Sequence, residues 1–368
     1  TSSLIGLPSA QTLPPDSAYS ATVARSMRHP SLTVLTCGPL PRGCVVPDSY
    51  DFDPIIPDKY RTGAMTGWKP DPAHAKRFAA FNRTPVFALA SPSAMDAPAR
   101  DVFLPKYLAT ACRELYGKDW RYRPQYQRAG SCVGQSSKTG TDIIMAVNRF
   151  VGGTKFIGRA AVSAIYAGSR VEIAGQPGRW DGSNGSWAAD WLTKYGIVLL
   201  KELNLAEDSR DPDENLAVEW AARASGVPAQ YETVAKQKPI TNAALVQTTA
   251  EVRAALNSLC YVNICSSLIP GAQRDADGVS RMSNQGGHST GIVGCRLVRN
   301  EWVYAYCQSW GDWAAGPYGW LAFDPTKEFA TTIVDITEGD LSRVLQSRDC
   351  YALSGVNVFE LVDPLYFL

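Results

Sequence analysis

Residues 130–150 read GSCVGQSSKTGTDIIMAVNRF, and the fold prediction starts from the cysteine near the beginning of this stretch. Ile143, Val147 and Phe150 recur at helical spacing, so we predict a helix that begins at Cys132. The first turn of a helix presents unpaired N–H groups and the positive end of the helix dipole. Because both favour a thiolate, Cys132 is a candidate nucleophile.

A nucleophilic thiol needs a base, and the sequence contains three histidines, His29, His74 and His288. His288 follows two glycines and opens the apolar segment GGHSTGIVG (286–294), which predicts a strand. A cysteine at a helix start and a histidine at a strand start, far apart in sequence, are the pair that thiol peptidases bring together. His29 and His74 lie in a proline-rich region, and we interpret them as surface residues.

The next predicted strand spans 301–309 and leads into the block CQSWGDW (307–313). This block is followed by GPYGW (316–320). We expect the side-chain carbonyl of Gln308 to accept the Nδ1–H of His288, which would fix the tautomer of the ring. Trp310 would shield that hydrogen bond from water. Gln308 therefore supplies the orienting group that a nucleophile and its base require.

These three blocks, in this order, resemble the nucleophile block, the histidine strand and the Asn-Ser-Trp-Gly block of the papain family of cysteine peptidases. A fourth block, DGSNGSWAADWLTKYGI (181–197), is similar to the loop and helix that line the substrate cleft in that family. The resemblance extends from about residue 120 to residue 368. The segments GSCVG and SAIYAGSR look more like bacterial and phage members than like secreted ones.

The resemblance implies a role for each matching residue. Cys132 matches the nucleophile, His288 the general base and Trp310 the tryptophan that covers the catalytic residues. Gly185 and Ser186 match the loop that pairs with the substrate backbone. No metal or organic cofactor is implied.

Two positions depart from the family pattern. Gln308 stands where the family usually has asparagine, so the orienting side chain is one methylene longer. The oxyanion glutamine of the family lies six residues before the nucleophile, where this sequence has Tyr126 between Gln125 and Gln127. We expect the oxyanion hole to combine the Cys132 N–H with one of these two glutamines, and we favour Gln127.

Helical patterns precede strand patterns along the chain, which favours an α+β fold with two packed lobes. The resemblance implies a papain-like peptidase domain at 120–368, with a helical lobe at about 130–235 and an antiparallel, β-barrel-like lobe at about 240–368. We predict a strand at 318–323 within the second lobe. Residues 1–119 are dense in proline and are predicted to form an extended N-terminal arm with brief helices near 72–81 and 105–116. The sequence leaves three alternatives for this arm: it is removed, it blocks the cleft, or it binds neighbouring subunits.

Composition limits the partners and the compartment. The chain has 36 basic and 35 acidic residues, so charge gives no reason to expect binding to nucleic acid. No apolar run approaches the roughly 20 residues that span a bilayer, and the first residues do not form an intact signal peptide, so we expect no membrane partner. Nine cysteines without a C-x-x-C pair indicate free thiols in a reducing compartment, either the cytoplasm or a virion.

The function predicted first is that of a cysteine endopeptidase, which hydrolyses protein or peptide substrates through Cys132 and His288 oriented by Gln308. The alternative is a catalytically impaired papain-like fold that serves as a structural or binding protein, such as a component of a phage particle. Gln308, the displaced oxyanion glutamine and the long arm motivate this alternative. A third hypothesis assigns the same Cys–His pair to an acyl transferase or a transglutaminase-like enzyme.

Overall fold

The computed structural model describes residues 67–81, 86–123, 125–127, 129–178, 181–206, 213–271, 273–314, 328–329 and 331–357. These residues all belong to the unit that spans Phe52–Leu368. Residues 1–66 of the predicted arm, with His29, and the predicted strand at 318–323 lie outside the described residues.

Helices dominate the first part of the described chain, and two more lie among the strands of the second part. They are α1 (Pro72–Phe81), α2 (Phe87–Ala90), α3 (Pro92–Met95), α4 (Pro105–Tyr116), α5 (Cys132–Val151), α6 (Val162–Gly168), α7 (Gly185–Lys194), α8 (Glu214–Ala222), α9 (Ala229–Ala235), α10 (Thr249–Asn257) and α11 (Glu338–Leu345). A π-helical turn, Ser169–Ile173, continues α6, and a 3-10 turn spans Leu200–Leu203. None of the described helices is both long enough and apolar enough to cross a membrane.

The predicted helix at the candidate nucleophile is confirmed and forms the centre of the molecule. α5 packs against α4 and α6 and against three strands of the sheet, so it lies between the helices and the sheet. Glycines permit these close approaches. A Cβ on Gly134 would lie 2.9 Å from the Cβ of Tyr166 in α6, and one on Gly140 would overlap the ring of Tyr261 in the sheet.

The described residues build one antiparallel sheet of seven strands, six of which lie in the second part of the chain. They are β1 (Val102–Phe103), β2 (Ile240–Leu245), β3 (Tyr261–Pro270), β4 (Met282–Val298), β5 (Glu301–Cys307), β6 (Ile333–Thr337) and β7 (Tyr351–Val356). Their order is β2-β7-β3-β4-β5-β6, and β1 pairs with β4. The α+β prediction is confirmed, but the expectation of a barrel-like lobe is wrong because β2 and β6 do not pair and the described sheet stays open.

The long strand β4 carries the candidate base near the middle of the sheet. His288 lies opposite Ser266 of β3, and the register between these strands shifts directly beyond this pair. On the other side, Gly291 pairs with Cys307 at the end of β5, so Gln308 follows close to His288. The sheet therefore places the base and its orienting residue on neighbouring strands.

Part of the predicted arm is folded onto this core. Residues 72–81 and 105–116 form α1 and α4, as the sequence predicts. Leu104, Leu108 and Cys112 are fully buried, and α4 packs along α5. Within the described residues the segment from 102 to 116 is thus part of the packed domain, because α4 presents an apolar stripe to α5.

Candidate active site

Cys132 is the first residue of α5 and is fully buried. The loop before it is fixed by the buried carboxylate of Glu214, which accepts hydrogen bonds from Ser131 Oγ at 2.5 Å and from the Ala129 N–H at 3.1 Å. This anchoring sets where α5 begins, and hence where the sulfur lies.

Two opposing effects act on the thiol. Burial raises the pKa of Cys132 from 9.0 to about 12. The backbone N–H groups of Ser289, Val133 and Cys132 itself face the sulfur and lower the pKa, but by less. Burial wins, so Cys132 is a neutral thiol in this structure. The contact with Ser289 places the sulfur next to the strand position that carries His288.

His288 is held by Gln308, through a different ring nitrogen from the one that the sequence predicted. Gln308 Oε1 lies 2.7 Å from His288 Nε2, so Nε2–H donates to the amide carbonyl. Nδ1 is buried and has no hydrogen-bond partner among the described residues. The prediction that Gln308 would accept from Nδ1 is therefore wrong, and the nitrogen that lacks a proton is Nδ1.

Trp310 covers the imidazole. Its ring stacks on His288 with the centroids 4.4 Å apart and an interplanar angle of 25°. Burial lowers the pKa of His288 from 6.5 to about 4, and the hydrogen bond to Gln308 opposes this only in part. Near neutral pH both the ring and the Cys132 thiol are uncharged, and the thiol is not a hydrogen-bond partner of Nδ1 in this state.

The two candidate oxyanion glutamines have different surroundings. Gln127 Nε2 donates to Ala129 O at 2.7 Å, and its Oε1 accepts from Ser309 Oγ at 2.9 Å, which fixes its amide within the loop before Cys132. Gln125 Oε1 accepts from Thr139 Oγ1 at 3.1 Å. Thr139 lies seven residues beyond Cys132 in α5, or about 10 Å along the axis at 1.5 Å per residue. Gln127 is thus held in the loop before Cys132, whereas Gln125 is held against the body of α5.

Gly185 and Ser186 open α7, and their N–H groups bind a carboxylate. Gly185 N–H donates to Asp349 Oδ2 at 3.0 Å and Ser186 N–H donates to Asp349 Oδ1 at 2.9 Å. Their backbone donors are thus used at the start of this helix. The residue of this loop that pairs with another extended segment is Ser183, which forms a parallel bridge with Trp68.

Residues 67–69, which we call the covering segment, lie across Cys132. Gly67 is so close that a Cβ placed on it would overlap the Cys132 sulfur and would lie 2.7 Å from Gly130 O. Ser183 N–H donates to Gly67 O at 2.7 Å, and Lys69 N–H donates to Ser183 O at 2.8 Å. The covering segment therefore seals the thiol from solvent, and only glycine fits over the sulfur.

The backbone of the covering segment is hydrogen-bonded to the segments on either side of it. The carbonyl oxygen of Gly67 is bound to the Ser183 N–H, so it is directed toward the loop. Trp68 N–H faces Gly287 O at 3.4 Å on the opposite side. The segment runs parallel to the loop at Ser183 and is held by its backbone on both sides of the cleft.

The sequence reasoning missed the residues that support the loop at 182–183. Tyr166 Oη accepts from the Gly182 N–H and from Arg170 Nη1, each at 3.1 Å, and Ser169 Oγ lies 2.7 Å from Ser183 Oγ. The π-helical turn brings residues 169 and 170 toward the loop. Asp349 and Glu214 were also missed, because nothing in their local sequence indicates partners so far away along the chain.

The prediction that His74 is a surface residue is wrong. His74 is buried, its Nδ1 lies 2.8 Å from Ser186 Oγ, and its Nε2 lies 3.4 Å from Asp190 Oδ2. The proline-rich region folds α1 onto α7, which encloses the ring. Among the described residues, no group of three or more histidine, cysteine or acidic side chains is arranged to hold a metal ion.

We expect Gly67→Val to displace the covering segment, because a side chain there overlaps the Cys132 sulfur. Exposure removes the burial that raises the pKa of the thiol, and each unit by which this pKa falls gives about tenfold more thiolate at neutral pH. The rate of Cys132 alkylation by iodoacetamide, mapped by mass spectrometry, should therefore rise at least about tenfold.

Gly339→Val is the matched control, since an added Cβ there meets nothing nearer than 3.9 Å. Equal alkylation of Cys132 in wild type, Gly67→Val and Gly339→Val would contradict the assignment of residues 67–69 as the cover.

Acidification should destabilise the protein through His288. Its pKa of about 4 in the folded chain lies below 6.5, so the unfolded chain binds the proton first as the pH falls. The stability contributed by the neutral ring is complete above pH 6.5 and is lost toward pH 4. Between pH 7 and pH 5 this loss is about 2 kcal/mol.

Urea unfolding of wild type and His288→Gln at both pH values isolates this contribution, because the glutamine does not titrate. The free energy of unfolding should fall more steeply with acid in the wild type. An identical pH dependence in the two proteins would mean that the buried ring titrates normally.

No protein-family model and no curated protein matches this sequence. The fold is similar to that of xylellain, a cysteine protease from Xylella fastidiosa, with a TM-score of 0.50 and 15% identity over 79% of this chain and 96% of that chain. Procathepsin B S9 from Trypanosoma congolense has a TM-score of 0.47 and 11% identity, over 80% of this chain and 88% of that chain. A chain from work on the mite allergens Blo t 1 and Der p 1 has a TM-score of 0.40 and 11% identity, over 70% of this chain and 71% of that chain. The likeness to xylellain shows the fold, which is α+β and papain-like.

Proposed function

We propose that this chain is a cysteine endopeptidase with Cys132 as nucleophile and His288 as general base, held in a closed state by its own residues 67–69. The observation that carries the proposal is the state of the His288 ring. Nε2–H is fixed on Gln308 at 2.7 Å, and the buried Nδ1 has no partner among the described residues. A ring held in this way can take a proton at Nδ1 once relief of its burial raises its pKa.

The proposed reaction begins once the covering segment has left the cleft. The Cys132 thiol passes its proton to His288 Nδ1, and the thiolate attacks the carbonyl carbon of the scissile peptide bond. The Cys132 N–H and the Gln127 amide donate hydrogen bonds to the oxyanion. The imidazolium then protonates the leaving amine, and water, activated by the neutral imidazole, releases the acyl group and restores the thiol.

The substitution of glutamine for asparagine does not count against this proposal. The extra methylene of Gln308 is accommodated, because its carbonyl oxygen still reaches His288 Nε2 at 2.7 Å. The backbone of Gln308 is held by Thr332, whose carbonyl accepts the Gln308 N–H at 2.9 Å and whose Oγ1 donates to Gln308 O at 2.7 Å. These contacts support Gln308 as the residue that orients the base.

The substrate loop in this proposal is 182–183, in place of Gly185 and Ser186. The backbone N–H and carbonyl of Ser183 both bind the covering segment, and a substrate strand would use the same two groups. Gly185 and Ser186 support this loop from the start of α7 through their bonds to Asp349.

The neutral thiol and imidazole also suit the alternative function, a papain-like fold that binds or builds structures without catalysis. The two functions differ once the cleft is open. A peptidase gains an ion pair and activity when the burial of both side chains is relieved, whereas a structural protein gains neither.

The test uses the full chain with Gly67→Val, incubated with unfolded casein at neutral pH. We expect fragments that are absent when Cys132→Ala or His288→Ala is added to the same chain. Cys132 should also be alkylated faster than Cys260 and Cys295, which are buried thiols outside the site. Alkylation of Cys132 without any casein cleavage would support the structural function instead.

Replacement of Gln308 tests the orienting role. In the Gly67→Val background, Gln308→Ala should lower kcat by about tenfold or more, because the ring loses the acceptor that fixes its tautomer. Gln308→Glu is the control, since it keeps an acceptor at the same reach. If the alanine variant retains full kcat, another group must orient His288.

A further inference from the structure

We infer that Asp349 is a specificity-determining residue of this site, which selects peptides with a neutral N–H donor, above all tryptophan, in the side chain beside Ser183. This inference rests on the proposed peptidase function and names its substrate class. It comes from the way in which the chain fills its own cleft.

Trp68 occupies the place that such a substrate side chain would take. Its backbone forms the bridge with Ser183, and its indole Nε1–H donates to Asp349 Oδ2 at 2.7 Å. The exposed fractions are only 8% for Trp68 and 4% for Asp349. The indole and the carboxylate therefore meet out of contact with water.

Asp349 is surrounded by neutral donors. The N–H groups of Gly185 and Ser186 donate to its carboxyl group, and the thiol of Cys265 lies next to it. Of the described residues, no lysine or arginine forms an ion pair with it. An apolar side chain in place of Trp68 would leave Asp349 Oδ2 buried with one donor fewer, which is unfavourable for a desolvated acceptor.

Trp68 also borders an open cavity of about 390 Å³, which Ser266, Leu268 and Arg343 line as well. Arg343 is half-exposed and pairs with Asp340 at 3.0 Å. A comparison of peptides that carry tryptophan or arginine therefore tests whether the buried carboxylate of Asp349 prefers a neutral donor to a cation.

The first test follows the covering segment itself and needs no enzymatic activity. Hydrogen–deuterium exchange of the Lys69 and Ser183 amides reports how often the segment leaves the loop. In the full chain, Trp68→Phe should speed both exchange rates about tenfold, the scale expected for a lost hydrogen bond to a charged group. In an Asp349→Ala background the same change should have little further effect.

Trp191→Phe is the matched control, because the indole N–H of this buried tryptophan has no partner among the described residues. It should leave the exchange of Lys69 and Ser183 unchanged. Equal exchange in wild type and Trp68→Phe would overturn the inference, since the Asp349 contact would then contribute nothing to recognition.

The second test measures peptide selection in Gly67→Val. Four peptides differ only at the position beside Ser183, which carries tryptophan, β-(3-benzothienyl)alanine, phenylalanine or arginine. Benzothienylalanine keeps the shape of tryptophan and replaces the N–H with sulfur. We expect kcat/KM for the tryptophan peptide to exceed that for benzothienylalanine by about tenfold, and to exceed that for arginine.

The outcomes separate the two proposals. If the exchange rates respond to Trp68 and Asp349 but no peptide is cleaved, the peptidase proposal fails and the recognition of an N–H donor stands. If all four peptides are cleaved and benzothienylalanine equals tryptophan, the peptidase proposal stands and the role of Asp349 fails. A preference for arginine over tryptophan would show that charge decides, which also overturns the inference.

Discussion

The structure depends on the burial of one sulfur atom at the start of a helix. Three backbone N–H groups stabilise a thiolate at this position, yet the pKa of Cys132 is about 12, because the cost of removing the thiolate from water is larger. Burial, here beneath the Trp310 ring, also lowers the pKa of His288 to about 4. The protonation state of Cys132 is coupled to the position of residues 67–69, because Gly67 lies over its sulfur.

The site also depends on how closely α5 can approach its neighbours. Gly134 lets this helix contact Tyr166, which in turn binds the Gly182 N–H of the loop beside the cleft. Gly140 lets the same helix contact Tyr261 of the sheet that carries His288. One helix therefore fixes the nucleophile relative to both walls of the cleft, and a larger residue at either glycine would move a wall.

The parts of the fold that local chemistry dictates were predictable from the sequence. The predicted helix α5 begins at Cys132, and residues 72–81 and 105–116 form the predicted helices α1 and α4. The pairing of His288 with Gln308 was also foreseen, since adjacent strands bring these residues together. The ring nitrogen that bonds to Gln308 was not foreseen, because the choice between Nε2 and Nδ1 depends on the direction in which the His288 side chain leaves its strand.

Features that depend on distant contacts escaped prediction. His74 becomes buried only because α1 packs on α7, and Asp349 matters only because it lies at the start of that helix. The open sheet follows from the absence of pairing between β2 and β6 among the described strands, which no single strand sequence encodes. Such contacts join residues more than 100 positions apart, so periodicity and capping signals carry no information about them.

In the proposed function, the direction in which residues 67–69 run explains how the chain holds its own segment in the cleft without cleaving it. The covering segment uses the backbone groups of Ser183 that a substrate would use, but it runs parallel to the loop, and its Gly67 carbonyl is bound there. A tethered segment acts at an effective concentration that reaches about millimolar for short flexible linkers. A free substrate at micromolar concentration with equal contacts would therefore rarely displace it. In the proposed function, activity is set by whatever releases residues 67–69, before any substrate affinity becomes relevant.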